Sequence, residues 1–242
     1  LVLSFIITLA QPQRLPAAVS ASAMTDNPLL SESPLPFQYP QFDKIKNEHF
    51  APGFALGMAA HLKEIESIAN NPSAPTFENT IVALEQAGEL LSRVSTIFGS
   101  LTSCNTNPEL QQLQRTLSPQ LSAHSDAIRL NPILFTRIET LYTARETLGL
   151  DAESQRLLWR YYKDFVRAGA KLAPVDQEKL KALNRQLATL QTSFTQNTLK
   201  EVAASAVWID TREELGGFSE AEITAAAAAA KAEGHDGKYK IR

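Results

Sequence analysis

From about residue 48 onward, apolar residues recur at three- and four-residue steps almost without a break, and that period belongs to helices that bury one face. Phe54, Met58, Leu62, Ile65 and Ile68 form the first stripe. Pro52 lies near its start, where a missing N–H costs nothing, and Asn70-Asn71-Pro72 stops it. Thr76, after Pro75, is placed to cap a second helix, and Glu78 suits the positive end of that helix's dipole. The inner face of this second helix is expected to run through Phe77, Ile81, Leu84, Gly88, Leu91, Val94, Phe98 and Leu101. Further helices are expected over 108–130, 132–147 and 152–171, parted by Asn-Pro and glycine-containing breaks. The longest covers 175–204, with Leu180, Leu183, Leu187, Leu190 and Phe194 at heptad-like spacing. That stripe lasts under three heptads and the flanking helices are striped too, so packing within a bundle is expected rather than a coiled-coil oligomer.

After Ser205 the pattern changes. Val207-Trp208-Ile209 reads as a short strand, Gly216-Gly217 as a turn, and Ser219 as the cap of a helix that carries six alanines at 225–230 and stops at Gly234. Gly237-Lys238-Tyr239-Lys240-Ile241-Arg242 begins an alternating pattern that can pair with the first strand, and residue 242 reads as a cut edge. The expected fold class is all-α, a multi-helix bundle with a small α+β element near the C-terminal cut. Residues 24–47 are expected to form an extended N-terminal segment, 48–205 the helical domain, and 206–242 the truncated start of the α+β element.

At the other end, the apolar run Leu1-Val2-Leu3-Ser4-Phe5-Ile6-Ile7-Thr8-Leu9-Ala10 is followed by Ala21-Ser22-Ala23 before Met24. An apolar core and an Ala-x-Ala site mark a secretory signal peptide, and the run is too short to span a membrane. With no initiating methionine or positive leader, residues 1–23 read as a truncated signal peptide, and the mature protein as periplasmic or secreted. If Met24 is the true start, a cytoplasmic protein is expected instead.

A chain of 242 residues with 44% hydrophobic and 20% charged residues suits one or two globular domains with a sizeable core. A net charge of -3 gives no reason to expect nucleic acid or an anionic membrane as a partner. Cys104, the single cysteine, has no internal disulfide partner, reads as a helix end, and lacks the basic neighbours that activate a thiol.

Four histidines occur, His49, His61, His124 and His235, and none sits in a His-Glu-x-x-His. That motif sets two imidazoles one turn apart with a glutamate beside them. His61 and His124 fall on or beside inner helix faces. Carboxylate-bridged metal bundles use Glu-x-x-His pairs, but the residues three before these histidines are Lys46, Met58, Leu121 and Ala232. Glu64, three after His61, leaves one unsupported half-site. The inward histidines are therefore read as hydrogen-bonded groups at the edge of the core. Asp164 and Arg167, flanked by Tyr161, Tyr162 and Phe165, are expected to pair across one turn and to pack rather than bind a ligand. No Gly-x-Gly-x-x-Gly, phosphate loop, nucleophile elbow or Cys-x-x-Cys occurs. No residue is assigned a catalytic, cofactor-binding or metal role.

Several strings carry a resemblance. They are Asn27-Pro28-Leu29-Leu30, Leu35-Pro36-Phe37-Gln38, Phe42-Asp43-Lys44-Ile45-Lys46-Asn47-Glu48-His49-Phe50 and Pro75-Thr76-Phe77-Glu78-Asn79-Thr80-Ile81. Ala123-His124-Ser125-Asp126-Ala127, Arg160-Tyr161-Tyr162-Lys163-Asp164-Phe165-Val166-Arg167-Ala168-Gly169-Ala170 and Ser193-Phe194-Thr195-Gln196-Asn197 complete the series. In this order, over roughly residues 27 to 242, they are similar to the N-terminal half of the thimet oligopeptidase family of zinc metallopeptidases, especially its bacterial peptidyl-dipeptidase branch.

The resemblance implies a mostly helical protein with a deep channel between two lobes, of which this chain forms one wall. It implies a parent that hydrolyses short peptides and releases C-terminal dipeptides. The family's zinc, its ligands and its water-activating glutamate belong to the C-terminal half, so none maps onto this chain. Without that catalytic lobe the fragment is expected to bind no zinc and to be inactive. The alternative from another class is a stand-alone helical binding or scaffold module that holds a partner helix in its grooves.

Overall fold

The computed structural model describes residues 26–241. The leader reading, Met24 and Arg242 lie outside that range. At the start of the described chain, buried Asn27 accepts from the Leu29 N–H at 3.0 Å and donates to the His49 carbonyl at 2.8 Å. This clasp seats Leu29, fully buried, against the first long helix.

That helix, α1 (Phe50–Ala69), joins two apolar clusters. Phe50 and Phe54 pack with Leu29, Val94, Phe98 and Leu110, while Ile65 and Ile68 pack with Ile81, Leu134, Ile138, Leu158 and Phe165. Four of the five residues of the expected stripe, Phe54, Met58, Ile65 and Ile68, lie in or against these clusters, and only Leu62 is exposed. The buried positions of this face are 50, 54, 57, 65 and 68, with Gly57 and the half-buried His61 at its centre. A Cβ on Gly57 would stand 2.9 Å from the Leu91 α-carbon, and its absence lets the two backbones approach.

The second helix starts as expected. Thr76 Oγ1 accepts from the Asn79 N–H at 3.1 Å, and Asn79 Oδ1 accepts from the Thr76 N–H at 2.8 Å. It does not run unbroken. A π-helical turn (Phe77–Val82) leads into the short α2 (Ala83–Gln86), and the chain breaks before α3 (Glu89–Cys104). Gly88, expected inside a helix face, is the break itself: its φ is 81°, in the left-handed region, and a Cβ there would meet the His61 ring at 2.9 Å.

Side-chain caps start the next three helices. Asn107 accepts from the Leu110 N–H ahead of α4 (Pro108–Arg129), Asn131 from the Leu134 N–H ahead of α5 (Pro132–Ala144), and Asp151 from the Ser154 N–H ahead of α6 (Ala152–Arg167). Helices α5 and α6 end a few residues before the expected 147 and 171. They pack with Tyr142 stacked on Tyr162 at 3.9 Å. Buried Arg137 on α5 donates to the Asn71 and Ser73 carbonyls and to Asn79 Oδ1, at 3.0, 3.1 and 2.8 Å, and so fixes the loop between α1 and the π-helical turn.

The longest helix, α7 (Pro174–Ala204), lies along α4 and contradicts its expected packing. Its inward row, 184-188-192-196, steps by four and is polar apart from Ala188. Asn184 donates to Asp126 at 2.7 Å, Ser118 to the Ala188 carbonyl at 2.9 Å, Thr192 to Ser118 Oγ at 2.8 Å, and Gln196 to the Gln111 carbonyl at 2.9 Å. Gln196 also accepts from Arg115. The leucine stripe faces away: Leu183, Leu187, Leu190 and Phe194 are between 52% and 73% exposed. Leu180, by contrast, closes over Gly169.

The C-terminal element is the one expected. Strand β1 (Val207–Ile209) pairs antiparallel with β2 (Tyr239–Ile241), Val207 opposite Ile241. Helix α8 (Glu220–Ala232), begun by a Ser219–Glu222 capping box, packs on β2 and buries Ile223, Ala226 and Ala230. The class is all-α with a small β element.

Candidate functional site

A cleft of about 460 Å³ opens where α1, α2, α4 and α6 meet, and members of both apolar clusters line it. His61 reaches it from the centre of the α1 stripe. His124 reaches it from α4, where it continues the inward line of Leu117 and Leu121. His61 Nδ1 and His124 Nε2 lie 3.0 Å apart and share one hydrogen bond. His124 is buried, and its Nδ1 has no hydrogen-bond partner.

Burial pushes both imidazoles below their ordinary value. The Glu64 carboxylate partly opposes this at His61, and charge on His61 adds to it at His124. Both rings are therefore neutral at neutral pH. The shared bond uses one nitrogen of each ring and holds α1 against α4. This is the core-edge hydrogen bonding read for the inward histidines, with each other as partner.

The Glu64 half-site is used otherwise. Its carboxylate accepts from the Gly88 N–H at 2.7 Å and clasps the break between α2 and α3. Among the described residues, no group of three or more His, Cys, Asp and Glu side chains is placed to hold a metal ion. Zinc sites in enzymes take three protein ligands, and two imidazoles bonded to each other do not fit one.

The rim of the cleft comes from α2, α4 and α6. Tyr161 donates to Glu85 at 2.6 Å, and burial with the neighbouring carboxylate holds the phenol far above its ordinary value. Asp164 pairs with Arg160, at 3.7 Å, and not with Arg167 as expected. Arg167 instead lines a neighbouring cleft beside Asp126 and Asn184. The aromatic face divides as well: Phe165 is in the core, Tyr161 is on the rim, and Tyr162 is in the stack with Tyr142. Sequence reasoning missed Glu85, Arg129 and Arg160. The four-residue spacing of Arg160 and Asp164 was a usable signal for one of them. Cys104 ends α3 and is exposed. His49 accepts from the Lys46 N–H at 3.1 Å, and His235 lies against Trp208. No helix among the described residues is long and apolar enough to cross a membrane.

The molecule presents a helical bundle with a cleft lined by both polar and apolar side chains. No family model matches the chain. Over 218 residues, 90% of its length, it is 44% identical to dipeptidyl carboxypeptidase of Salmonella typhimurium. Over 217 residues it is 45% identical to dipeptidyl carboxypeptidase of Escherichia coli. It is also 25% identical over 211 residues to oligopeptidase A of Salmonella typhimurium. The chain spans about a third, 32%, of the length of the dipeptidyl carboxypeptidases it matches. It is homologous to one segment of these peptidases, and the resemblance carried by its ordered strings holds.

Proposed function

We propose that this chain is the N-terminal, non-catalytic part of a zinc metallopeptidase that hydrolyses short peptides and releases dipeptides from their C-termini. The observation that carries the reading is the 44–45% identity, over nine-tenths of the chain, to dipeptidyl carboxypeptidases about three times as long. In this reading the bundle forms one wall of a channel, and its part is steric: it admits short extended peptides and turns away folded proteins. The zinc implied by the resemblance finds no ligand set among the described residues, so its site is assigned to the remainder of the parent. With residues 1–23 as a leader, the parent works in the periplasm or outside the cell.

The test is a chimaera in which this chain replaces the matching third of Escherichia coli dipeptidyl carboxypeptidase. It should release dipeptides from a short peptide with a free C-terminus and lose that activity to a chelator. A folded chimaera that is inert beside an active Escherichia coli enzyme overturns the reading.

A further inference from the structure

Helix α7 wears its sides the wrong way round for a free-standing bundle. A helix at the surface of a complete domain turns its apolar stripe to the core and its charges to water. Here Asn184, Thr192 and Gln196 are spent on α4, while Leu183, Leu187, Leu190 and Phe194 stand in solvent, and Val202 continues the exposure toward the C-terminal end. Nor is the helix dressed for water elsewhere. From Ala182 to Leu199, Arg185 is the sole charged residue. Loss of charge together with a contiguous apolar stripe marks the centre of a permanent interface.

We infer that the outward face of α7, centred on Leu187, Leu190 and Phe194, is the seam along which the rest of the parent polypeptide packs through an apolar helix face of its own. The inference rests on the parentage proposed above. The relatives at 44–45% identity carry about twice as much polypeptide again beyond the segment matched, which supplies the occupant. A second copy fits less well. The stripe is under three heptads long, and the positions beside it (Gln186, Gln191 and Ser193) carry none of the charges that set register and partner in a coiled-coil dimer.

The experiment places the triple variant Leu187→Glu, Leu190→Glu, Phe194→Glu in two settings, the 242-residue chain alone and the chimaera described above. Alone, the variant should keep the parent chain's melting temperature and lose binding of an apolar-surface dye, because these side chains serve no internal core. In the chimaera the same three changes should lower the melting temperature by several degrees, because three carboxylates are then forced into a packed seam.

Three results overturn the assignment: an equal loss in the isolated chain, an untouched melting temperature in the chimaera, or an isolated chain that is dimeric until the three glutamates dissociate it. The parentage fails separately. In that case the unsubstituted chimaera is inert, whereas an active chimaera indifferent to the triple variant sinks only the seam.

Discussion

Two imidazoles 3.0 Å apart in a partly buried cleft cannot both carry a proton charge without cost. The carboxylates near them are Glu64, already bonded to the Gly88 N–H, and Glu85 and Asp164 on the rim, engaged with Tyr161 and Arg160. Arg129 and Arg160 add positive charge to the same cleft. Burial pushes both histidines below the ordinary value in the folded chain, so the unfolded chain binds more protons over that interval. The stability they contribute is complete above about pH 6.5 and is lost as pH falls from there through the folded values. Urea midpoints of the native chain should therefore drop more between neutral and mildly acid pH than those of His61→Gln, His124→Gln; parallel pH dependences would remove the pair from this role. The sequence placed both rings inward, because helical periodicity decides that. It could not pair them, because they are 63 residues apart and only the packing of α1 on α4 brings them together. Asp164 shows the opposite difficulty. Arg160 four before it and Arg167 three after it are both within local reach, and the tie is broken by what each arginine faces.

At the level of elements, the loop between α1 and the π-helical turn shows how one residue holds a connection in place. Buried Arg137 satisfies two loop carbonyls and the Asn79 side chain with a single guanidinium. Arg137→Ala strands those acceptors and should cost about 3 kcal/mol in urea unfolding, with faster amide exchange across residues 70–80. Arg137→Lys should recover only part, since one ammonium cannot copy the fork. A loss for the alanine variant of under about 1 kcal/mol, with exchange unchanged, would show that the loop is held by other means. Element types were legible because caps such as Thr76 and Ser219 and stops such as Gly234 act locally. The break at Gly88 was not legible. A glycine on a buried helical line reads as a close-packing residue, and here it is both a left-handed turn and the seat of the His61 ring. The long helix was misjudged for another reason: periodicity shows that two faces differ but does not name the neighbour that covers each.

Across the whole molecule, α1 contributes Phe50 and Phe54 to one cluster and Ile65 and Ile68 to the other, so the two are coupled through one rod. The proposed division of labour has a direct expectation at this scale. The isolated 242-residue chain should take up no stoichiometric zinc at neutral pH and leave short peptides intact. One-to-one metal content after dialysis, or chelator-sensitive cleavage, would contradict it. The small C-terminal element carries a last consequence. Trp208 on β1 has the His235 ring 4.2 Å away and Lys240 Nζ 5.3 Å from its ring centre, whereas Trp159, the chain's other tryptophan, lies under Arg156 on α6. With Trp159 changed to phenylalanine, the emitted light would come from the hairpin alone. Because the His235 ring packs on that indole, opening the C-terminal corner would change its surroundings and hence its emission, which gives the chain a built-in optical gauge of whether that corner is closed.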